Sequence, residues 1–154
     1  MARVTTQYRG SEAERKALDA YIKLMRASES VTNRVKRRAS QSGLTMSQLG
    51  VLEALLHLGS MCQTDLSAKL LKSSGNTTTV VDNLEKRGLV RRERDPRDRR
   101  FVTVSLTPRG RALIEGVFPR HAEAIVEAMA ALGDDEQRAL AYLCRKLGLA
   151  AAGP

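Results

Sequence analysis

The stretch Asp95-Pro96-Arg97-Asp98-Arg99-Arg100 lies between two short runs with the composition of β-strands, Leu89 to Arg94 and Phe101 to Leu106. In the second run, apolar and polar residues alternate, which is the period of a half-buried strand. The two runs predict a β-hairpin, and the stretch between them predicts a tip that displays three arginines.

The segment before this hairpin predicts two helices joined by a short turn. The first runs from about Gln63 to Leu71, and the second runs from about Ser74 to Arg87 and is followed by Gly88, which fits a left-handed cap. Leucines and valines at helical spacing give each helix an inward face. Two such helices followed by a hairpin are the layout of a winged helix-turn-helix, whose second helix enters the major groove of duplex DNA.

Long helices are predicted on both sides of this core. Helical spacing of apolar residues covers about Ser11 to Ser40, and Thr45-Met46-Ser47-Gln48 is a capping box that opens a further helix. After the hairpin, Thr107-Pro108 restarts a helix that Pro119 is expected to kink or divide, and Asp134 caps the last helix. The fold class is therefore mainly α with a small β-hairpin wing: a winged helix-turn-helix core flanked by N- and C-terminal dimerisation helices.

The flanking helices are too long to pack on this core alone, and their apolar stripes need a partner. A homodimer built from those helices would present two recognition helices to a palindromic site. The predicted organisation is a flexible arm (1–10), an N-terminal dimerisation helix (11–43), a winged helix-turn-helix DNA-binding domain (44–107), C-terminal dimerisation helices (108–149) and a frayed tail (150–154).

The chain carries a net charge of +9, and the excess is local. Between Lys86 and Arg111 there are ten lysines or arginines and three acidic residues. Such a basic patch is typical of a nucleic-acid-binding protein, although a solvated basic face has the same composition. The chain has no Trp, two Phe and three Tyr, which argues against single-strand binding because that needs aromatic platforms.

The sequence disfavours several classes of protein. No apolar run approaches the roughly 18 residues of a membrane span, and the first residues have no apolar signal-peptide core. Two cysteines do not suggest a disulfide framework, so we expect a reduced cytoplasmic protein. Because the chain has no G-x-S-x-G, P-loop or Rossmann motif and no C-x-x-C or H-x-x-x-H spacing, we expect neither an enzyme nor a bound metal or cofactor.

Two groups of residues are predicted to contact DNA. Short polar side chains at the start of the second helix allow it to approach phosphates and base edges, although the same residue types also cap helices. This group is Ser73, Ser74, Asn76, Thr77, Thr78 and Thr79. Arginines at the hairpin tip suit a narrow minor groove, and this group is Asp95, Arg97, Arg99 and Arg100. We expect the arginines of the hairpin stem to contact phosphates or to have no role; they are Arg91, Arg92 and Arg94.

Three motifs of this chain resemble the MarR family of bacterial transcriptional regulators. They are Leu84-Glu85-Lys86-Arg87-Gly88-Leu89-Val90, the tip from Asp95 to Arg100, and Leu106-Thr107-Pro108-Arg109-Gly110. The resemblance implies a triangular homodimer that binds a promoter palindrome, usually as a repressor, with Asp95 orienting a wing arginine through an ion pair. It also implies release from DNA when a small phenolic compound or an oxidant acts near the junction between the dimerisation helices and the DNA-binding domain.

Two shorter motifs, Ser74-Gly75-Asn76 and Phe118-Pro119-Arg120-His121, are similar to the MhqR/OhrR-like branch, some members of which respond to quinones or peroxides. The candidates for an effector pocket or sensor are Met25, His57, Cys62, Phe118 and His121. The resemblance places His57 near the family's ligand pocket, and a thiol near a helix N-terminus, such as Cys62, can react with oxidants. Each of these residues also has a purely structural interpretation. Cys62 can be a small half-buried residue, and both histidines can be core or surface residues with their hydrogen bonds satisfied.

The sequence thus predicts a dimeric MarR-like repressor that binds palindromic promoter DNA and is released by a small phenolic or quinone-type ligand or an oxidant. The alternative is a sequence-indifferent architectural protein that binds duplex DNA through the same basic wing. The ratio of specific to non-specific affinity separates the two. A winged helix used for protein interaction is disfavoured, because protein interfaces do not need such concentrated charge.

Overall fold

The structure is a computed structural model that describes residues 7–70, 74–96, 98 and 100–151. The described residues form six α-helices, one 3-10 turn and three strands, which confirms the predicted fold class. In chain order, the elements are α1 (Glu12–Ala39), the 3-10 turn (Ser40–Ser42), α2 (Met46–Leu58), β1 (Met61–Cys62), α3 (Gln63–Lys69), α4 (Ser74–Lys86), β2 (Val90–Arg94), β3 (Val102–Leu106), α5 (Pro108–Met129) and α6 (Asp134–Ala151).

Three features differ from the sequence prediction. The two-residue strand β1 was not predicted, because it is too short to show an alternating pattern. α5 contains Pro119 as one helix, so the expected division does not occur, and buried residues lie both before and after the proline, Ile114 and His121. α6 extends to Ala151, so that the first two residues of the expected tail are helical.

The chain forms two compact units, one of Lys36–Ala124 and one of the residues up to Val35 together with those from Ile125 onward. In the unit of Lys36–Ala124, the core forms where α2, α3 and α4 meet the sheet. Its fully buried leucines, valines and isoleucine are Leu49, Val51, Leu52, Leu55, Leu66, Val81, Leu84, Val90, Val104 and Ile114. Burying each such side chain contributes roughly 1.5–3 kcal/mol, and together they hold α4 against the sheet.

The helix ends follow signals that are present in the sequence. Thr45 Oγ1 accepts a hydrogen bond from the Gln48 N–H at 3.1 Å, and Gln48 Oε1 accepts one from the Thr45 N–H at 3.0 Å. These two bonds complete the predicted capping box of α2. At the end of α4, Gly88 has a φ of 69° and its N–H donates to the Glu85 carbonyl at 2.8 Å, so the chain turns sharply into β2.

The sheet is antiparallel and has the strand order β1-β3-β2. In the hairpin of β2 and β3, Val90 pairs with Leu106 and Arg92 pairs with Val104. Because side chains alternate along a strand, Arg92 shares the face of the buried Val90. That register directs Arg92 toward α4, where it meets Glu85 and Asp82.

Many large apolar side chains on the terminal helices are exposed in the single chain. Those that are half exposed or more are Tyr21, Met25, Val126, Tyr142, Leu143, Leu147 and Leu149. Within the described helix α6, no residue is buried. Exposed apolar area of this extent is typical of an interaction surface. None of the described helices combines the length and the apolar character that crossing a membrane requires.

The start of α5 is tied to the residues that precede β2. The Thr107 N–H donates to the Leu89 carbonyl at 3.1 Å, and the Thr107 hydroxyl donates to the Gly88 carbonyl at 2.7 Å and accepts from the Gly110 N–H at 3.0 Å. Gly110 lies so close that an added Cβ would come within 1.8 Å of the Leu89 carbonyl oxygen. The Thr-Pro-x-Gly sequence therefore has a steric reason: threonine caps α5, and glycine leaves room for a neighbouring backbone.

We expect Gly110→Ala to lower the free energy of unfolding by roughly 2–3 kcal/mol, because the new methyl group must displace the backbone of Leu89. Urea denaturation followed by circular dichroism measures the change. The matched control is Gly116→Ala in the same helix, where an added Cβ meets no described atom within 4 Å. The Gly116→Ala control should leave the free energy of unfolding unchanged or raise it by up to about 1 kcal/mol. Equal urea midpoints for the two variants would contradict the close approach of Gly110 to the Leu89 backbone.

Candidate nucleic-acid interface

One side of α4 is exposed and polar. Its exposed side chains recur at spacings of three and four residues, opposite the buried Val81 and Leu84, and are Asn76, Thr79, Asn83 and Lys86. We call these four residues the exposed α4 face. An asparagine can both donate to and accept from the edge of an adenine, and a lysine can reach a phosphate. Asn83 and Lys86 were not among the residues predicted from the sequence, although the helical period, continued for two more turns, identifies them.

Two of the predicted contact residues do not lie on this face. Thr77 is 1% exposed, because its position on the helix coincides with that of the buried Val81 and Leu84. The prediction of a DNA contact by Thr77 is therefore corrected: its side chain is not accessible to a groove. Thr78 is half-buried, and its Oγ1 accepts a hydrogen bond from Gln63 Nε2 at 2.8 Å, which joins α3 to α4.

Arg92 on β2 connects the hairpin to α4. Its Nε and Nη2 atoms donate to Glu85 Oε2 at 3.0 and 2.8 Å, and its backbone N–H donates to Glu85 Oε1 at 2.9 Å. Nη2 also lies 2.5 Å from Asp82 Oδ1. The bonds to Glu85, and then those to Asp82, raise the pKa of Arg92 above its ordinary value, although partial burial opposes them. From the sequence, Arg92 was expected to contact a phosphate or to have no role, whereas in the structure its partners Glu85 and Asp82 lie on α4.

The wing tip is shaped by Asp98. Its carboxylate accepts hydrogen bonds from the Arg100 side chain at 3.1 Å through both Nε and Nη2, and from the Arg100 backbone N–H at 3.0 Å. These bonds, those from the side chain first, lower the pKa of Asp98. The Arg100 side chain is nevertheless 90% exposed, so the tip presents a cation whose direction Asp98 holds.

The remaining residues that were predicted to contact DNA lie at the base of the wing tip, at the start of α4 or outside the described residues. Asp95 Oδ1 accepts a hydrogen bond from the Asp98 N–H at 3.4 Å, and its own N–H donates to the Phe101 carbonyl at 3.0 Å, which closes the loop at the base of the tip. Ser74 is the first residue of α4. The remaining predicted contacts, Ser73, Arg97 and Arg99, lie outside the described residues, as does the side chain of Ser74.

Comparison with known proteins identifies the family of this chain. A sequence model described as MarR family matches residues 44–102, and the HTH-type transcriptional regulator YkoM of Bacillus subtilis is 36% identical over 90% of this chain and 89% of its own length. The chain belongs to the MarR family. The B. subtilis HTH-type transcriptional regulator MhqR is 33% identical over 87% of this chain and 92% of its own length.

A solved structure extends the comparison to three dimensions. BpsR of Bordetella bronchiseptica, whose DNA binding is regulated by 6-hydroxynicotinic acid, is 31% identical and superposes with a TM-score of 0.77 over 84% of this chain and 98% of its own. The family predicted from the three motifs is confirmed, and the similarity to MhqR agrees with the predicted branch. The protein is therefore a MarR-family DNA-binding transcriptional regulator, and the two B. subtilis relatives are HTH-type transcriptional regulators.

The predicted effector residues of this MarR-family chain lie on several elements. The rings of His57 and Phe118 meet edge to face with centroids 4.8 Å apart, and the His121 ring lies 6.2 Å from that of Phe118. Cys62 pairs with Thr103 in the sheet and occupies the N-cap position of α3 without a side-chain capping bond. Met25 is half exposed on α1, in the other compact unit. In the described part of the chain, no three His, Cys, Asp or Glu side chains converge on a metal position.

We expect Arg92→Gln to weaken DNA binding about tenfold, because Asp82 and Glu85 would be left as unbalanced carboxylates beside the exposed α4 face. It should also lower the free energy of unfolding by about 1–2 kcal/mol. Fluorescence anisotropy with duplex DNA and urea denaturation measure the two effects.

The matched control is Arg91→Gln, which removes the same charge from an exposed neighbour that pairs with Glu93 at 3.2 Å instead of with α4. If both variants lose the same DNA affinity and the same stability, net charge alone matters and Arg92 has no positioning role.

Proposed function

We propose that this MarR-family protein is a dimeric repressor that binds palindromic promoter DNA and is released by a small phenolic or quinone-type ligand or by an oxidant. The observation that carries the DNA-binding part is the exposed α4 face beside a cationic wing, with Arg92 joining the two. As a regulator of promoter DNA, the protein would act in the cytoplasm and would catalyse no reaction.

In this proposal, α4 enters the major groove and the wing reaches the neighbouring minor groove. Asn76, Thr79 and Asn83 meet base edges, and Lys86 meets a phosphate. Arg100 and the predicted Arg97 and Arg99 insert into or border the minor groove. Base contacts would supply specificity, whereas the cations would supply an affinity that falls steeply with salt.

The test is a fluorescence-anisotropy titration with the DNA upstream of this protein's own gene, tiled in short duplexes, and with a scrambled control. At physiological salt, we expect one duplex to bind roughly a thousandfold or more tightly than the control. Equal binding to every duplex would favour the architectural alternative. Absence of salt-dependent binding to any duplex would favour a winged helix used for protein interaction.

Exposed apolar residues on the terminal helices support the proposal of a dimer. On α6, Leu140, Leu143 and Leu147 recur at helical spacing and are 37%, 58% and 55% exposed in the single chain. A second copy of the chain is the occupant that this stripe fits, because a two-fold dimer gives the two recognition helices the symmetry of a palindrome.

We expect the double variant Leu143→Glu with Leu147→Glu to sediment as a monomer in analytical ultracentrifugation, because two carboxylates would be buried in the dimer interface. Operator affinity should fall at least roughly tenfold, since the two half-sites would no longer be linked. The control is Arg145→Glu, an exposed position on the opposite side of α6. A dimer that survives the double variant would refute the proposed interface.

The effector part of the proposal rests on a relative and on two features of this chain. BpsR, which is 31% identical, has its DNA binding regulated by a small hydroxylated aromatic acid. Here, the cluster of His57, Phe118 and His121 offers ring contacts to a phenol or quinone, and the thiol of Cys62 at the start of α3 offers a reaction site for an oxidant. Operator titrations with reduced, oxidised and Cys62→Ser protein distinguish the two routes.

A further inference from the structure

Two uncharged residues of the exposed α4 face, Thr79 and Asn83, lie one helical turn apart. Because they are four positions apart in the sequence, their Cβ atoms are roughly 5–6 Å from each other on the same side of the helix. Both side chains are exposed, opposite the buried Val81 and Leu84. Successive base pairs of duplex DNA rise by about 3.4 Å, so a major groove that admits α4 would meet the two side chains on base pairs one or two steps apart.

The hydroxyl group of Thr79 is engaged within α4. Thr79 Oγ1 donates a hydrogen bond to the Gly75 carbonyl at 3.2 Å, so the hydroxyl proton is directed back along the helix. The methyl group is the other end of this exposed side chain. Contact between a threonine methyl group and the 5-methyl group of thymine is one of the ways in which proteins read the major groove. Thr79 therefore suits a thymine.

The side-chain amide of Asn83 is exposed and has no hydrogen-bond partner among the described residues. An asparagine amide can donate to the N7 atom of adenine and accept from the N6 amino group at the same time. The edge of guanine instead presents two acceptors, N7 and O6, and cannot satisfy the amide oxygen. Asn83 therefore suits an adenine.

The arginines that flank α4 are engaged within the protein. A bidentate bond from arginine to guanine is the commonest specific contact in the major groove, and α4 itself contains no arginine. Arg87, which follows α4, donates through Nη1 to the Gly43 carbonyl at 3.1 Å and to Gln48 Oε1 at 3.3 Å. Arg92 is held by two carboxylates of α4. The chemistry of the exposed α4 face therefore favours A·T over G·C base pairs.

We propose that Thr79 and Asn83 make α4 a reader of A·T base pairs. The Thr79 methyl group packs against the 5-methyl group of a thymine, and the Asn83 amide bonds to the N6 and N7 edge of an adenine one or two base pairs away. The proposal rests on the entry of α4 into the major groove proposed above, and it adds two bases that each operator half-site must contain.

Selection of duplexes from a random pool with the full-length protein supplies the DNA for the test without reference to any promoter. We expect the selected half-sites to share a thymine and an adenine one or two base pairs apart. In anisotropy titrations, replacing that thymine by uracil removes only the 5-methyl group and should weaken binding about fourfold per half-site. Replacing that adenine by 7-deazaadenine removes only the N7 acceptor and should weaken binding about tenfold per half-site.

Two variants remove the same contacts from the side of the protein. Thr79→Ser keeps the hydroxyl group and loses the methyl group, so it should bind the thymine and uracil duplexes equally. Asn83→Ala should bind the adenine and 7-deazaadenine duplexes equally. Because the change in the protein and the change in the DNA remove one and the same contact, their effects should not add.

The matched controls are Thr103→Ser, at an exposed threonine of β3, and Asn33→Ala, at an exposed asparagine of α1. Both controls should keep the preference of the wild-type protein for thymine over uracil and for adenine over 7-deazaadenine. Thermal melting shows that each variant is folded before it is titrated.

Three results would overturn the proposal. These are a uracil scan that costs no affinity at any thymine of the half-site, a Thr79→Ser variant that keeps every thymine preference of the wild-type protein, and an Asn83→Ala variant that keeps every loss caused by 7-deazaadenine. Any of these results with a specifically bound duplex overturns this proposal alone. A selection that returns no sequence preference overturns both this proposal and the proposed function.

Discussion

The ion pairs of Arg92 with Glu85 and Asp82 are the interaction on which the proposed DNA-reading surface depends. A hairpin of two five-residue strands has little core of its own, and the buried residues of these two strands are Val90 and Val104. Arg92 extends that attachment along the stem by holding both carboxylates of α4. Without Arg92, the orientation of the wing relative to α4 would no longer be held. The carboxylates of Asp82 and Glu85 would then place unbalanced negative charge beside the exposed α4 face.

A second constraint acts at the start of α5. Thr107 and Gly110 press against Gly88 and Leu89, the residues at which α4 ends and β2 begins. From this contact, α5 runs without a break through Pro119 to the cavity lined by Arg120 and His121. One continuous helix therefore connects these residues to the base of the wing.

Much of the local structure could be predicted because its causes are local. The capping box of Thr45 and Gln48 needs residues three positions apart, and the hairpin needs only its alternating strands. The positions of α4 and the wing along the chain were likewise predicted from local spacing. Thr77 failed as a contact residue, because composition alone marked it as polar while the helical period placed it with Val81 and Leu84.

The sequence by itself determined the order of helices and strands, the caps, the basic tip and the family, since these follow from spacing and motif. The tertiary structure alone decided that Arg92 turns toward Glu85 and Asp82, and that Arg38 and Arg120 line one cavity. The physical reason is distance along the chain. Side chains far apart in sequence meet only when burial of the leucine and valine core fixes how helices pack, and no local period encodes that packing.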